Sequence, residues 1–154
     1  MEKDTNATEN AIESLRTFFN EQHNILVCTA NVTGEPSAAI MGTPRIAENG
    51  NVEFEISDPI SMTLQNMNEN KAILFMAYIP GKRARDYQGA RIYAEVTEIQ
   101  TNGEKIERIR NAIRERHGEE KASELIATVT CRIKKVRPVV DRGQQWNEPP
   151  FGVV

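Results

Sequence analysis

The chain has 154 residues, 27% of them charged and 39% hydrophobic, and a formal net charge of −3. That length suits one domain able to bury a core without disulfides or a metal, and the composition is that of a soluble globular protein. No apolar run approaches the ~20 residues of a spanning helix, and the acidic start MEKDTNATENA is the opposite of a secretory leader, so a cytoplasmic protein with no membrane partner is expected.

Residues 1–23 read as an N-terminal helical segment. Ile12, Leu15 and Phe19 fall on one helical face within 10–22, and Asn10 with Glu13 has capping-box spacing. NILVCTANV (24–32) is strand-like and ends in the turn signal Thr33-Gly34-Glu35-Pro36. SAAIMGTPRIA (37–47) reads as one irregular strand, with Gly42 and Pro44 marking a bulge or an approached backbone. Asn49-Gly50 is a hairpin signal leading into NVEFEIS, where Val52, Phe54 and Ile56 alternate with glutamates.

A short helix is expected over 59–69, capped by Asp58 before Pro59, with Ile60, Leu64 and Met67 on one face. KAILFMAYI (71–79) is a nearly continuous apolar strand, and GARIYAEVTEI (89–99) alternates, with Ile92, Ala94 and Val96 on one side. A third helix is expected over 104–117, closed by Gly118, and a last strand over 124–136. Residues 138–154 form an irregular C-terminal tail. The order α-β-β-β-α-β-β-α-β, with no repeat or linker, points to one domain over 1–154: an antiparallel sheet or small barrel with helices at its ends.

Cys28 and Cys131 sit inside apolar runs and read as small buried hydrophobes, while His23 and His117 are isolated, so no metal site is expected. Four places stand out chemically. The helix start around Ser57, Asp58, Ser61 and Thr63 could hold an anion against free N–H groups or be only a cap. The basic stretch GKRARDYQGAR (81–91) could bind an anion or be a solvated loop. Gly42, in AIMGTP, could admit a flat ring or mark a bulge, and Trp146 could cover a ligand or simply pack. No nucleophile–base pair can be nominated, so the catalytic residues are unknown and any chemistry is expected to come from a cofactor.

The pieces ILVCTANVTGEPSAAIMGTPRI, VEFEISDPISMTLQNMNENKAILFMAY and YQGARIYAEVTEIQTNGEKIERI, in that order, resemble the FMN-binding split β-barrel family, which includes pyridoxamine 5′-phosphate oxidase. The resemblance runs from about Asn24 to Val140. It implies a mainly β (α+β) fold, a six-stranded antiparallel split barrel with flanking helices, and a homodimer holding FMN at the subunit interface. It assigns Met41, Gly42 and Thr43 to the strand edge facing the flavin ring. Ser57, Ser61, Met62 and Thr63 fall at the phosphate end, Lys82, Arg83, Gln88 and Arg91 close the pocket, and Trp146 comes from either subunit.

One residue departs from the pattern: Met62 stands where relatives often carry a cation. Deazaflavin and haem are the alternative cofactors. The function implied is an FMN-dependent oxidoreductase of unknown substrate. The rivals are a non-enzymatic FMN electron carrier and a cofactor-free dimeric binding protein, and no nucleic-acid partner is expected.

Overall fold

Alternation sets the strands. In β1 (Ile25–Ala30) Ile25, Val27 and Thr29 are buried while Leu26, Cys28 and Ala30 are half-buried on the opposite face, as a strand's two-residue period requires. The computed structural model describes residues 12–141. A helix α1 (12–20) precedes β1. The chain then runs through β2 (Pro36–Met41), β3 (Arg45–Ile46), β4 (Val52–Ile56), α2 (Met62–Glu69), β5 (Ala72–Ile79), a 3-10 turn (Ala84–Asp86), β6 (Gln88–Gln100), α3 (Glu104–His117), α4 (Glu119–Glu124) and β7 (Ala127–Pro138).

All pairings are antiparallel, in the order β2-β1-β5-β6-β7-β4-β3. The long β6–β7 ladder is the spine. One end of β6, Gln88 to Glu95, pairs with β5, and β4 pairs with β7 from Ala127 to Cys131. Between these two halves the β6–β7 register shifts twice, at Tyr93/Ala94 and Val96/Glu98. Such bulges bend strands and increase their twist. The fold is a curled antiparallel half-barrel, mainly β, with four helices.

The sheet has seven strands where the sequence suggests six. The expected strand 37–47 breaks at Gly42-Thr43-Pro44 into β2 and β3, which occupy the two opposite edges. Four Cα steps of 3.8 Å span at most about 15 Å, so this link forces the edges towards one another. α4 was not anticipated, and the strand expected from 124 begins at Ala127.

The core lies inside the curl. Phe75 of β5 packs edge-to-face on Phe54 of β4 (centroids 5.6 Å apart) and on Phe19 of α1 (6.3 Å). Ile92, Ala94 and Val96 are buried as expected, and so are Leu15 and Phe19, but Ile12 is 51% exposed. Edge strand β3 is covered by α1: the Asn20 amide donates to the Ile46 carbonyl (2.9 Å) and its oxygen accepts from the Ile46 N–H (2.8 Å). An edge so occupied offers little to a stray strand. Among the described residues no helix is long and apolar enough to cross a membrane, and no cluster of three His, Cys, Asp or Glu side chains could hold a metal.

Both cysteines are free. Burial pushes the Cys131 thiol up to about 12 from 9.0 and also raises that of half-buried Cys28. Because the thiolate is the nucleophile, Cys131 is expected to resist a thiol reagent at pH 8 until the protein is unfolded. Mass spectrometry of labelled native protein checks this; rapid labelling of Cys131 would mean that β7 opens locally. Its folded pKa is raised above the unfolded value. The associated stability is therefore whole below pH 9.0 and declines as pH rises towards about 12.

Candidate functional site

The start of α2 is built from a short turn. The Asp58 carbonyl accepts from the Ser61 N–H (3.2 Å), and its carboxylate accepts from the Ile60 N–H (3.0 Å). This side-chain turn holds residues 58–60 out of the helix. Ser61 therefore caps in place of Asp58: its hydroxyl oxygen accepts from the Leu64 N–H at 3.2 Å. The helix begins at Met62, three residues later than expected from Pro59, and Ile60 is 78% exposed, not part of its buried face. Met67 is buried and Leu64 half-buried.

The far end of α2 is fastened to β1. The Asn66 amide donates to the Thr29 hydroxyl inside the protein (3.1 Å), and the Asn70 amide to the Asn31 carbonyl (3.3 Å). These contacts fix where the helix start points.

Two bonds fasten the segment after Gly42 to β4, the strand that leads into the helix start. β3 pairs with β4 through Arg45 opposite Glu53. Stepping back along that register places Thr43 opposite Glu55. The Thr43 hydroxyl donates to the Glu55 carbonyl and accepts from its N–H, both at 3.2 Å. Before Thr43 the chain belongs to the other edge, where Met41 pairs with Ile25 of β1. Met41 packs half-buried against the core, while Gly42 and Ser57 are exposed. A Cβ on Gly42 would lie 3.1 Å from the His23 carbonyl, so the backbone here is bare and close to its neighbour.

The remaining candidates divide. Thr43 is exposed but its hydroxyl is spent on the β4 backbone, and Thr63 is buried, 4% exposed. Ser57 and Met62 are exposed at the start of α2, while Ser61 is buried. Lys82 and Arg83 lie in the β5–β6 hairpin, where Arg83 is paired with Asp86 at 3.1 Å. Gln88 opens β6 opposite Ile79, and Tyr78 stacks on Tyr87 at the hairpin base (5.7 Å). Trp146 lies outside the described residues.

Charge separates this site from an ordinary phosphate cradle. The nearest strand cation, Arg45, is held by both oxygens of Glu55 (2.8 and 2.9 Å), with Glu53 at 3.8 Å. The Glu55 hydrogen bonds hold its guanidinium pKa above the ordinary value against the opposing effect of burial. It is committed to its own sheet. Apart from the exposed Asp58 carboxylate, which is bonded to the Ile60 N–H, the helix start offers neutral groups: the serine hydroxyls and the N–H groups of the first turn.

Arg91 points to the outer face of β6, directly across from Arg137 of β7. That pairing, and the tail residue Asp141 lying against both arginines, was not anticipated from sequence. The signal was present in the alternation of RIKKVRP, but it needed the β6–β7 register to become a site.

No protein-family model and no curated protein matches the sequence. Solved structures do. An FMN-binding protein from Syntrophomonas wolfei superposes with a TM-score of 0.70 at 17% identity, over 92% of this chain and 94% of its own. The haem storage protein HutZ of Vibrio cholerae gives 0.57 at 17% identity, over 84% and 92%. A candidate pyridoxamine 5′-phosphate oxidase of Lactobacillus delbrueckii gives 0.61 at 12% identity, over 80% and 90%. Curl, strand order and whole-length superposition agree: this chain has the split-barrel fold of the pyridoxamine 5′-phosphate oxidase-like proteins.

Proposed function

We propose that this protein is a dimeric FMN-binding redox protein, with the cofactor held between Met41–Thr43 and the start of α2. The observation carrying this reading is the pair of Thr43–Glu55 bonds, which fastens the Gly42–Thr43 segment to the strand that leads into the start of α2, on a fold shared with an FMN-binding protein. The donors fit a phosphate: exposed Ser57 and the first-turn N–H groups lie at the helix start, and the buried Ser61 hydroxyl, whose oxygen serves the cap, still has a hydrogen to donate. Gly42 is exposed, so a ring edge can approach its backbone. FMN supplies two-electron redox chemistry when bound, and the protein's part is to bind, orient and exclude water. The reading extends to a flavin-dependent oxidoreductase; a non-enzymatic carrier would share the same pocket.

A second copy is assigned to the outer face of β2-β1-β5. There Ile40 lies across from Leu26 and Leu26 from Met76, while Ala38 lies across from Cys28 and Cys28 from Leu74. Ile40 is 62% exposed, and the row is apolar throughout, which suits a covered surface better than water.

Charge supplies the test. Met62 is 57% exposed at the first helical position. Met62→Lys would add a charge-assisted bond to the phosphate, worth about 1.5–3 kcal/mol, or roughly 10–100-fold in FMN affinity. Riboflavin, lacking the phosphate, should gain nothing. Flavin fluorescence titrations of native and variant protein, with sedimentation to confirm the dimer, check it. Equal gains for both flavins would remove the phosphate from the helix start. A chain of either kind that binds neither flavin would sink the reading and favour haem, a deazaflavin or a cofactor-free role.

A further inference from the structure

The sequence contains two Asn-Gly pairs, Asn49-Gly50 and Asn102-Gly103, and the flavin reading uses neither. An Asn-Gly pair is prone to modify itself, because glycine has no side chain to shield its amide nitrogen from the asparagine beside it. Both asparagines are exposed, and a Cβ on either glycine would meet nothing within 4 Å, so crowding does not separate the two pairs. Hydrogen bonding does. In the turn between β3 and β4 the Gly50 N–H donates to the Ala47 carbonyl (2.9 Å), and the Asn49 side-chain oxygen accepts from the Asn51 N–H (3.0 Å). The nitrogen that would attack and the amide it would attack are both held. In the link between β6 and α3, no hydrogen bond among the described residues engages the Gly103 N–H or the Asn102 side chain.

We infer that Asn102 is a site of spontaneous deamidation, the reactive Asn-Gly pair of this chain, and that Asn49 is protected by its turn. The Gly103 nitrogen gives its proton to water and bonds to the Asn102 side-chain carbonyl carbon. The side-chain nitrogen leaves as ammonia, closing a succinimide ring. Water then opens the ring at one carbonyl to give aspartate, or at the other to give isoaspartate. The position gives this change a consequence. Gly103 caps α3 without a side-chain hydrogen bond, and its carbonyl accepts from the Glu107 N–H (3.2 Å). Aspartate at 102 adds a negative charge beside that start, where the first-turn N–H groups favour it. Isoaspartate instead inserts a methylene into the backbone directly ahead of the helix. Just beyond, Lys105 reaches Glu53 and Thr130 and Ile106 is fully buried, so α3 is not free to shift and absorb it.

The test ages full-length protein at mildly alkaline pH, natively and in urea. Mass spectrometry follows the peptides around both pairs, with fragmentation that distinguishes isoaspartate from aspartate. In the native protein Asn102 should convert about tenfold faster than Asn49 or more, the factor implied by two hydrogen bonds that must be given up at the Asn49 turn. In urea that turn is gone, and the two rates should come together. Asn102→Gln, a change at an exposed side chain, should remove nearly all the isoaspartate formed in the native protein, with a thermal melt to establish that the variant is folded. The inference is overturned if native Asn49 converts as fast as Asn102, if the same preference persists in urea, or if Asn102→Gln leaves the isoaspartate unchanged. Neither pair belongs to the residues assigned to the flavin, so failure of that reading would leave this result standing.

Discussion

Replacing Phe75 by alanine is expected to lower the unfolding free energy by about 3–5 kcal/mol, the range for deleting a buried aromatic. The ring is fully buried and touches two other aromatic rings that come from separate parts of the fold. Phe54 belongs to β4, in the half of the sheet beyond the bulges. Phe19 belongs to α1, which also guards the β3 edge through Asn20. Loss of Phe75 removes its own apolar surface from the core and leaves a cavity where three elements meet. Equilibrium denaturation in urea, compared with Phe75→Leu, measures it. A loss below about 1 kcal/mol would mean that the two halves and α1 are held together by something other than this cluster.

That cluster was legible in part. The periodicity of residues 10–22 and of VEFEI placed Phe19 and Phe54 inward, and KAILFMAYI placed Phe75 in a buried strand. Their meeting depends on pairings far apart in sequence, which alternation does not encode. The helix and strand types were readable because each has a period; their ends were not. Asp58-Pro59 has the chemistry of a cap, but Asp58 bonds the Ile60 N–H in a turn and yields the cap to Ser61. Both residues are good caps by type, so composition alone does not choose between them.

The break in 37–47 had a signal, Gly42 and Pro44, but the same residues suit a bulge in one strand. What decides for two strands is that β2 pairs with β1 while β3 pairs with β4, a competition settled by the whole sheet. The candidate site shows the same division. Gly42 and Ser57 were recognisable singly, and the Thr43–Glu55 bonds that fasten the segment after Gly42 to β4 were not. The charge of Arg45 is likewise committed by its bidentate bond to Glu55, a partner that only the fold reveals.

Gly89→Ala is expected to destabilise the protein by about 3 kcal/mol, combining overpacking with backbone strain. Gly89 has φ +151°, and a Cβ there would lie 2.1 Å from the Ala77 carbonyl oxygen and 2.7 Å from the Tyr78 Cα. Those are backbone atoms of the paired strand β5, with no side chain to turn aside, so the ladder itself must part. The consequence travels further than the hairpin. The Gly89 carbonyl accepts the Val139 N–H, the bond that sets the chain on course to deliver Asp141 to Arg91. Opening the β5–β6 ladder at this point should therefore also loosen Asp141 from the arginine pair. Denaturation of Gly89→Ala, alongside backbone amide exchange at Val139, separates the two effects. A variant that loses stability yet keeps Val139 protected would place the strain in β5 alone. Loss of both would make Gly89 the joint between the hairpin and the arginine pair.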